Sequence, residues 1–250
     1  MRVLKLGQSL VSNTKIASGF DNKFSLTYDG VDDYLSLGDD VPPLTPFRIE
    51  GSDGWSFSIW LKTGTSKKIF SKNIGGAAEY DFVVRFNGNP KLVLYDQNNG
   101  GNISYNMNTS IADGNWHHIV FTWNGETEAG ITAYFDGGVK GGTDGASGLF
   151  ESVVATPAEF RMAYGGGSYS AIIQDEFSVF NKVLTSTEVS TLYNSGVPTD
   201  VTEISGCQGW WRNGDPTGTG AFPTISDDSS NSNDGTMTNM ASNDIITDVP

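Results

Sequence analysis

Cysteine is almost missing from this 250-residue chain: Cys207 stands alone, so no intrachain disulfide can form and stability must come from a packed core. A lone cysteine of this kind reads as a small buried apolar residue. Histidine is nearly as scarce. His117 and His118 are the only two, and consecutive strand positions face opposite ways, so they cannot converge on one metal or one triad. Basic residues are few, 15 against 29 acidic ones, for a net charge of −14. That field repels phosphate backbones and argues against nucleic-acid binding. No apolar run approaches the roughly 20 residues of a membrane-spanning helix, so no membrane insertion is expected. Arg2 and Lys5 interrupt the first eight residues, which do not read as a secretory signal.

Catalytic patterns are missing as well. There is no Gly-x-Ser-x-Gly elbow. Gly165-Gly166-Gly167 has no following helix to form a phosphate cradle and reads as a flexible loop. Polysaccharide hydrolysis needs two carboxylates on one face. No strand carries a Glu-x-Asp-x-x-Glu run, Glu126 and Glu128 flank a turn, and adjacent Asp175 and Glu176 are expected on opposite strand faces. The expectation is a protein that is not an enzyme.

What is present points to an all-β fold. Fourteen Phe, nine Tyr and six Trp supply bulky material suited to half-buried strands, and 31 Gly supply turns. Phe57, Ile59 and Leu61 alternate with Ser56, Ser58, Trp60 and Lys62, predicting a strand with one core face. Hairpin turns are expected at Asn87-Gly88, Asn124-Gly125 and Asp136-Gly137. Three hairpins between short strands indicate a sandwich or barrel. One short helix is predicted after Thr185, whose pairing with Glu188 makes a capping box. Leu184 and Val189 are placed as a hydrophobic staple, and Gly196 and Pro198 as the stop.

Three regions divide the chain: a polar arm over 1–22, a strand-rich body over 23–196, and an acidic extension over 197–250. The arm's first 19 residues hold Arg2, Lys5 and Lys15 and no acid. The extension holds Asp200, Glu203, Asp215, Asp227, Asp228, Asp234, Asp244 and Asp248 against Arg212 alone. Unequal ends suit either solvated tails or head-to-tail contacts between subunits of an oligomer. Residues 227–234 lack a bidentate acid in EF-hand register and read as a solvated turn. Trp210, Trp211, Phe222, Ile225, Met237 and Met240 argue that parts of the extension pack.

The segments DGVDDYLSLG (29–38), SFSIWLKT (56–63), IFSK (69–72), WHHIVFTWNG (116–125), YFDGG (134–138) and QDEFSVFNKVLTSTEV (174–189) carry a resemblance. In this order they resemble the laminin-G-like jelly rolls of the concanavalin A-like lectin and glucanase superfamily. That implies a two-sheet antiparallel β-sandwich with one short helix. Residues 209–240 look like the family's first strand and loop, which normally precede DGVDDY. Here they come last, either as a displaced strand filling its slot in cis or as a strand given to a neighbour. The arrangement also resembles virion proteins of tailed phages. The resemblance implies a structural protein on the virion, decorating capsid or fibre, with sister subunits, other virion proteins and host cell-surface glycans as partners. A soluble lectin-like module is the alternative.

The resemblance also implies calcium at the sandwich rim, on Asp32, Asp33 and Asp175, although Asp32 and Asp33 equally suit turn caps. For glycan contact, aromatic faces ringed by amides are the expected chemistry. Tyr95, Asn98, Asn99, Asn102 and Tyr105 offer it in one loop, and Tyr164 and Tyr169 beside the glycine run.

Overall fold

Strands are the predominant regular element among the described residues, because alternating apolar residues need one sheet face against another. The computed structural model describes residues 20–38, 54–65, 68–74, 77–85, 88–96, 98–125, 130–151, 153, 158–213 and 222–250, with side chains for all but 73–85. The arm expected over 1–22 lies outside these residues as far as residue 19, as do Asn87, Glu126 and Glu128.

The first strands are β1 (Ser25–Thr27), β2 (Tyr34–Ser36), β3 (Trp55–Lys62), β4 (Lys68–Ile74), β5 (Ala77–Arg85), β6 (Asn89–Tyr95) and β7 (Asn102–Asn106). Next come β8 (Trp116–Trp123), β9 (Ile131–Phe135), β10 (Gly138–Val139), β11 (Thr143–Ser147), β12 (Phe160–Met162), β13 (Tyr164–Gly165), β14 (Ser168–Tyr169) and β15 (Ile173–Phe180). Helix α1 (Ser186–Tyr193) precedes β16 (Cys207–Trp211), β17 (Thr224–Ile225), β18 (Gly235–Thr238) and β19 (Ile245–Ile246).

Two antiparallel sheets result. Sheet A runs β10-β9-β8-β3-β15-β1-β19, with β16 also paired to β15; sheet B runs β11-β7-β6-β5-β4-β12-β2-β18-β17. Between them lies one core. Phe57, Phe121, Phe177 and Trp211 come from sheet A, and Phe70, Leu92, Phe160 and Met237 from sheet B. Residues after 197 therefore contribute to both sheets in cis. Trp211 stacks on Phe177 at 5.5 Å, and Met237 pairs with Leu35.

A second apolar cluster lies outside sheet A. Val189 and Leu192 of α1 pack with Phe180, Leu184, Val120 and Trp210. This cover buries Ser56, Ser58 and Trp60, so β3 is buried on both faces rather than on one. The capping box forms: Glu188 N–H donates to Thr185 Oγ1, and Thr185 N–H donates to Glu188 Oε2 at 2.9 Å. The helix stops earlier than Gly196, because Asn194 takes the left-handed C-cap conformation.

The turns divide. Asp136-Gly137 is the two-residue turn expected, with both φ angles positive and Phe135 paired to Gly138. Asn124-Gly125 instead opens a longer connection, since Trp123 pairs with Ile131. Gly165–Gly167 is no loose loop. Tyr164 pairs with Tyr169, and Gly166 and Gly167 form the turn at φ +55° and +80°.

Candidate functional site

The alternation of β2 sends Leu35 and Leu37 into the core, which leaves Tyr34 and Ser36 on the outer face of sheet B. Arg161 of β12 stands opposite Ser36. The β13–β14 hairpin folds beside β4, held by Ser71 Oγ donating to the Tyr164 carbonyl at 2.9 Å. Three tyrosines from these elements meet. Tyr164 and Tyr169 lie 5.0 Å apart, and Tyr34 lies 6.0 Å and 6.4 Å from them. The Arg161 guanidinium sits 5.0 Å over both Tyr34 and Tyr164. Glu159 holds it at 2.6 Å through Nε and accepts from Ser36 Oγ on its other oxygen. All three tyrosines are half-buried, and no described protein group bonds their hydroxyls.

Directly before Tyr34 comes an acidic turn. Asp29 Oδ1 accepts from the Val31 N–H at 2.7 Å, and Asp33 Oδ2 from the Asp29 N–H at 3.0 Å. The backbone N–H of Val31 pulls the Asp29 carboxyl below its ordinary range. Burial, with repulsion from Asp29, Asp244 and Asp32, pushes Asp33 up. Gly30, at φ +75°, packs so closely on Ala171 that a Cβ would lie 2.7 Å from its nitrogen. That contact ties the turn to the end of the tyrosine hairpin. Carboxylate oxygens of Asp29, Asp32 and Asp33 all lie within 4.8 Å of one another. A calcium ion needs six to eight oxygens, of which this trio offers a start.

Asp175 is not part of that group. It lies on the outer face of sheet A, where Oδ2 accepts from Asn22 Nδ2 at 2.9 Å and Oδ1 from Asn213 Nδ2 at 3.0 Å. The expectation that Asp175 and Glu176 face opposite ways is overturned. Between Asp175 and Ser178, β15 carries one residue more than β3, and Glu176 adopts φ +49°. This bulge resets the alternation and turns both carboxylates outward, where both are buried.

The two groups of glycan candidates separate. Tyr164 and Tyr169 belong to the platform. Tyr95 stands on β6, four strands from Tyr34 of β2, about 19 Å at roughly 4.8 Å per strand. Tyr105 turns its ring edge to Phe121 and donates its hydroxyl to the Lys140 carbonyl at 2.8 Å. Asn98 and Asn99 are exposed, and their N–H groups go to Asp96 Oδ1 at 2.9 and 3.0 Å. Asn102 lies within β7 opposite Tyr95. A cleft of about 260 Å³ opens beside this strand, lined by Ile103, Ile131, Gly145 and Asp144, with no described aromatic face.

His117 and His118 stay apart. His117 Nδ1 faces Asp136 at 3.0 Å, and this bond raises its pKa. His118 bonds Ser58 Oγ at 2.8 Å, and burial pushes its pKa down to about 3. The run 227–234 is no solvated turn either. Buried Asp227 accepts from the N–H groups of Trp210 and Ser229 through Oδ1, and from that of Asn233 through Oδ2. Cys207 is half-buried, and burial raises its thiol to about 12.

Sequence reasoning missed Tyr34, Arg161, Glu159 and Asp29 as site residues. The signal for Tyr34 was available, since Leu35 and Leu37 fix the core face and Tyr34 must oppose it.

Comparison with known proteins places this architecture. A family model described as the concanavalin A-like lectin/glucanases superfamily matches residues 29–190. Botulinum neurotoxin type X of Clostridium botulinum is 26% identical over 155 residues, spanning 59% of this chain and 11% of the toxin. Among solved structures, a candidate carbohydrate binding protein from Bacteroides ovatus has a TM-score of 0.61 at 14% identity. It covers 90% of this chain and 61% of its own. A receptor binding domain gives 0.51 at 13% identity over 70% of this chain and 43% of its own. At such identity the two structures establish the fold alone.

Proposed function

We propose that this chain, which belongs to the concanavalin A-like lectin/glucanases superfamily, is a non-enzymatic glycan-binding module whose contact surface is the Tyr34–Tyr164–Tyr169 platform. The carrying observation is the convergence of three half-buried tyrosines, their hydroxyls bonded by no described group, on the outer face of sheet B. Aromatic rings with a polar tip suit a pyranose, which has an apolar face and a hydroxyl rim. The Glu159 and Arg161 side chains add an acceptor and donors beside the rings. Asp29, Asp32 and Asp33 would hold a calcium ion next to this surface; Asp175 would not. In that position the ion would fix the turn that leads into Tyr34.

The buried Asp175–Glu176 pair supports a non-enzymatic reading, since Asn22, Trp210 and sheet A cover both carboxylates. The setting of the module is a tailed-phage virion, as a decoration of capsid or fibre beside sister subunits and other virion proteins. Supporting this setting are the sequence resemblance to such proteins and the basic first 19 residues opposite an acidic extension.

A glycan array read with native protein and with Tyr164→Ala/Tyr169→Ala tests the site. Binding by the native protein, lost in the double variant and weakened by a chelator, is the expected result. Binding that survives the double variant would sink the platform. Cryo-microscopy of particles from the source virus, finding this fold nowhere on them, would sink the setting.

A further inference from the structure

The outer face of sheet A carries a feature that the glycan surface does not use. The bulge at Glu176 brings two carboxylates to one side of β15, and residues 20–22 lie across them. Phe20 stacks on Trp210 at 6.1 Å with 11° between the rings, and the Arg212 guanidinium lies 4.5 Å over Phe20. Arg212 Nη2 donates to the Asp21 carbonyl at 3.0 Å. Asn22 Nδ2 donates to Asp175 Oδ2 at 2.9 Å. Trp210 Nε1 donates to Glu176 Oε2 at 2.5 Å.

We propose that Phe20–Asn22 is a proton-operated strap, closed over sheet A while the Asp175–Glu176 pair is protonated and loosened as the pair ionises.

The charges under the strap carry this reading. Arg212 is the one cation facing the pair among the described residues, with Nε 3.5 Å from Glu176 Oε1. It also faces Asp228, at 3.9 Å from Nη1. Asp227, on the same segment, is taken by backbone N–H groups. The Asp21 side chain of the strap pairs at the surface with Lys23, which follows it. From β3, Trp60 stands opposite Asp175 and brings no charge. From β1 no titratable group enters, and after β16 Asn213 is neutral. With both acids ionised, the pocket therefore holds an excess negative charge away from water, a costly arrangement.

Asn22 is the strap residue that touches the pair directly. Its Oδ1 is buried without a partner while its Nδ2 serves Asp175. A half-turn of the amide would let Oδ1 accept from a protonated Asp175, so the strap has a bond ready for that state. Burial raises both carboxyls, Asp175 to about 7 and Glu176 well above its ordinary range. Closed strap binds protons more tightly than open strap, so rising pH favours opening. Closure is at full strength below the ordinary carboxyl range and weakens as pH climbs through about 7.

Hydrogen exchange of the full chain tests this, comparing amides 20–24 at about pH 6 and about pH 8.5 after correction for intrinsic rates. Native protein should lose roughly tenfold protection there at the higher pH, with β3 and β8 unchanged. Asp175→Asn, which mimics the protonated acid and suits a turned Asn22 amide, should keep the strap protected at both. Glu176→Gln, which also removes the second charge, decides if the first variant fails to fold. Equal protection of native amides at both pH values would overturn the proposal. So would a loss shared with β3 and β8, or the same loss in a folded variant.

Discussion

The outer faces of the two sheets start from the same alternation and are treated differently. On sheet A, Ser56, Ser58, Trp60, Asp175 and Glu176 face outward, and α1, the 20–22 strap and the 226–234 segment bury them. On sheet B, Tyr34, Ser36, Arg161, Tyr164 and Tyr169 face outward and remain half-open. Polar groups closed off from water must find partners within the protein, which is why sheet A carries a dense bonded network. Polar groups left in reach of water can wait for a ligand. Among the described residues, the outer face of sheet B is thus the one whose aromatic and polar groups stay within reach of solvent.

Removing the cover is the severest way to break this contrast. Truncation after residue 205 takes β16 to β19, with Trp210, Trp211, Ile225 and Met237, and so deletes strands from both sheets. Loss of one fully buried tryptophan costs about 3–5 kcal/mol, against a total of about 5–15 kcal/mol. No cooperative melt should remain by circular dichroism; an unchanged transition would show that the extension is dispensable.

Asp175→Asn tests the charge under the cover. Its native carboxyl is raised from 3.8 to about 7, so the native protein pays an increasing cost as pH rises through that window. Melting temperatures of native protein should fall between about pH 5 and pH 8, while those of the variant change less. A variant with the native pH slope would locate the effect elsewhere.

Thr185→Ala removes the cap of the helix that covers β3, at a cost of about 1 kcal/mol, read by urea melts. The smallest expected effect lies on the open face. Tyr169→Ala should change stability within about 0.5 kcal/mol while it lowers glycan retention. A large loss of stability there would mean that the platform is structural rather than a waiting surface.

Legibility in the sequence followed the same divide. The core face of β3, the Asp136-Gly137 turn and the Thr185–Glu188 box are local patterns, and each is present in the fold. The bulge at Glu176 is not local. Neither Gly nor Pro marks it, and it arises where β15 must match β3 while Trp210 and Arg212 claim the carboxylate. The platform fell between these cases: Tyr164 and Tyr169 stood out, but Tyr34 and Arg161 come from segments distant in sequence. The Asp29–Asp33 turn was visible as a motif, whereas Asp175 had only a resemblance to place it with Asp32 and Asp33.

The pairing of β1 with β19 sets the timetable of folding. Ser25 Oγ donates to the carbonyl of Asp248, 223 residues further on, and Leu26 pairs with Ile245. A ribosome adding about 5–20 residues per second delivers β1 long before its outer neighbour exists. Until residues 245–246 emerge, the outer side of β1 has no partner strand, and contacts of such long range form slowly. The nascent chain must therefore keep that edge from pairing with foreign strands until residues 245–248 emerge.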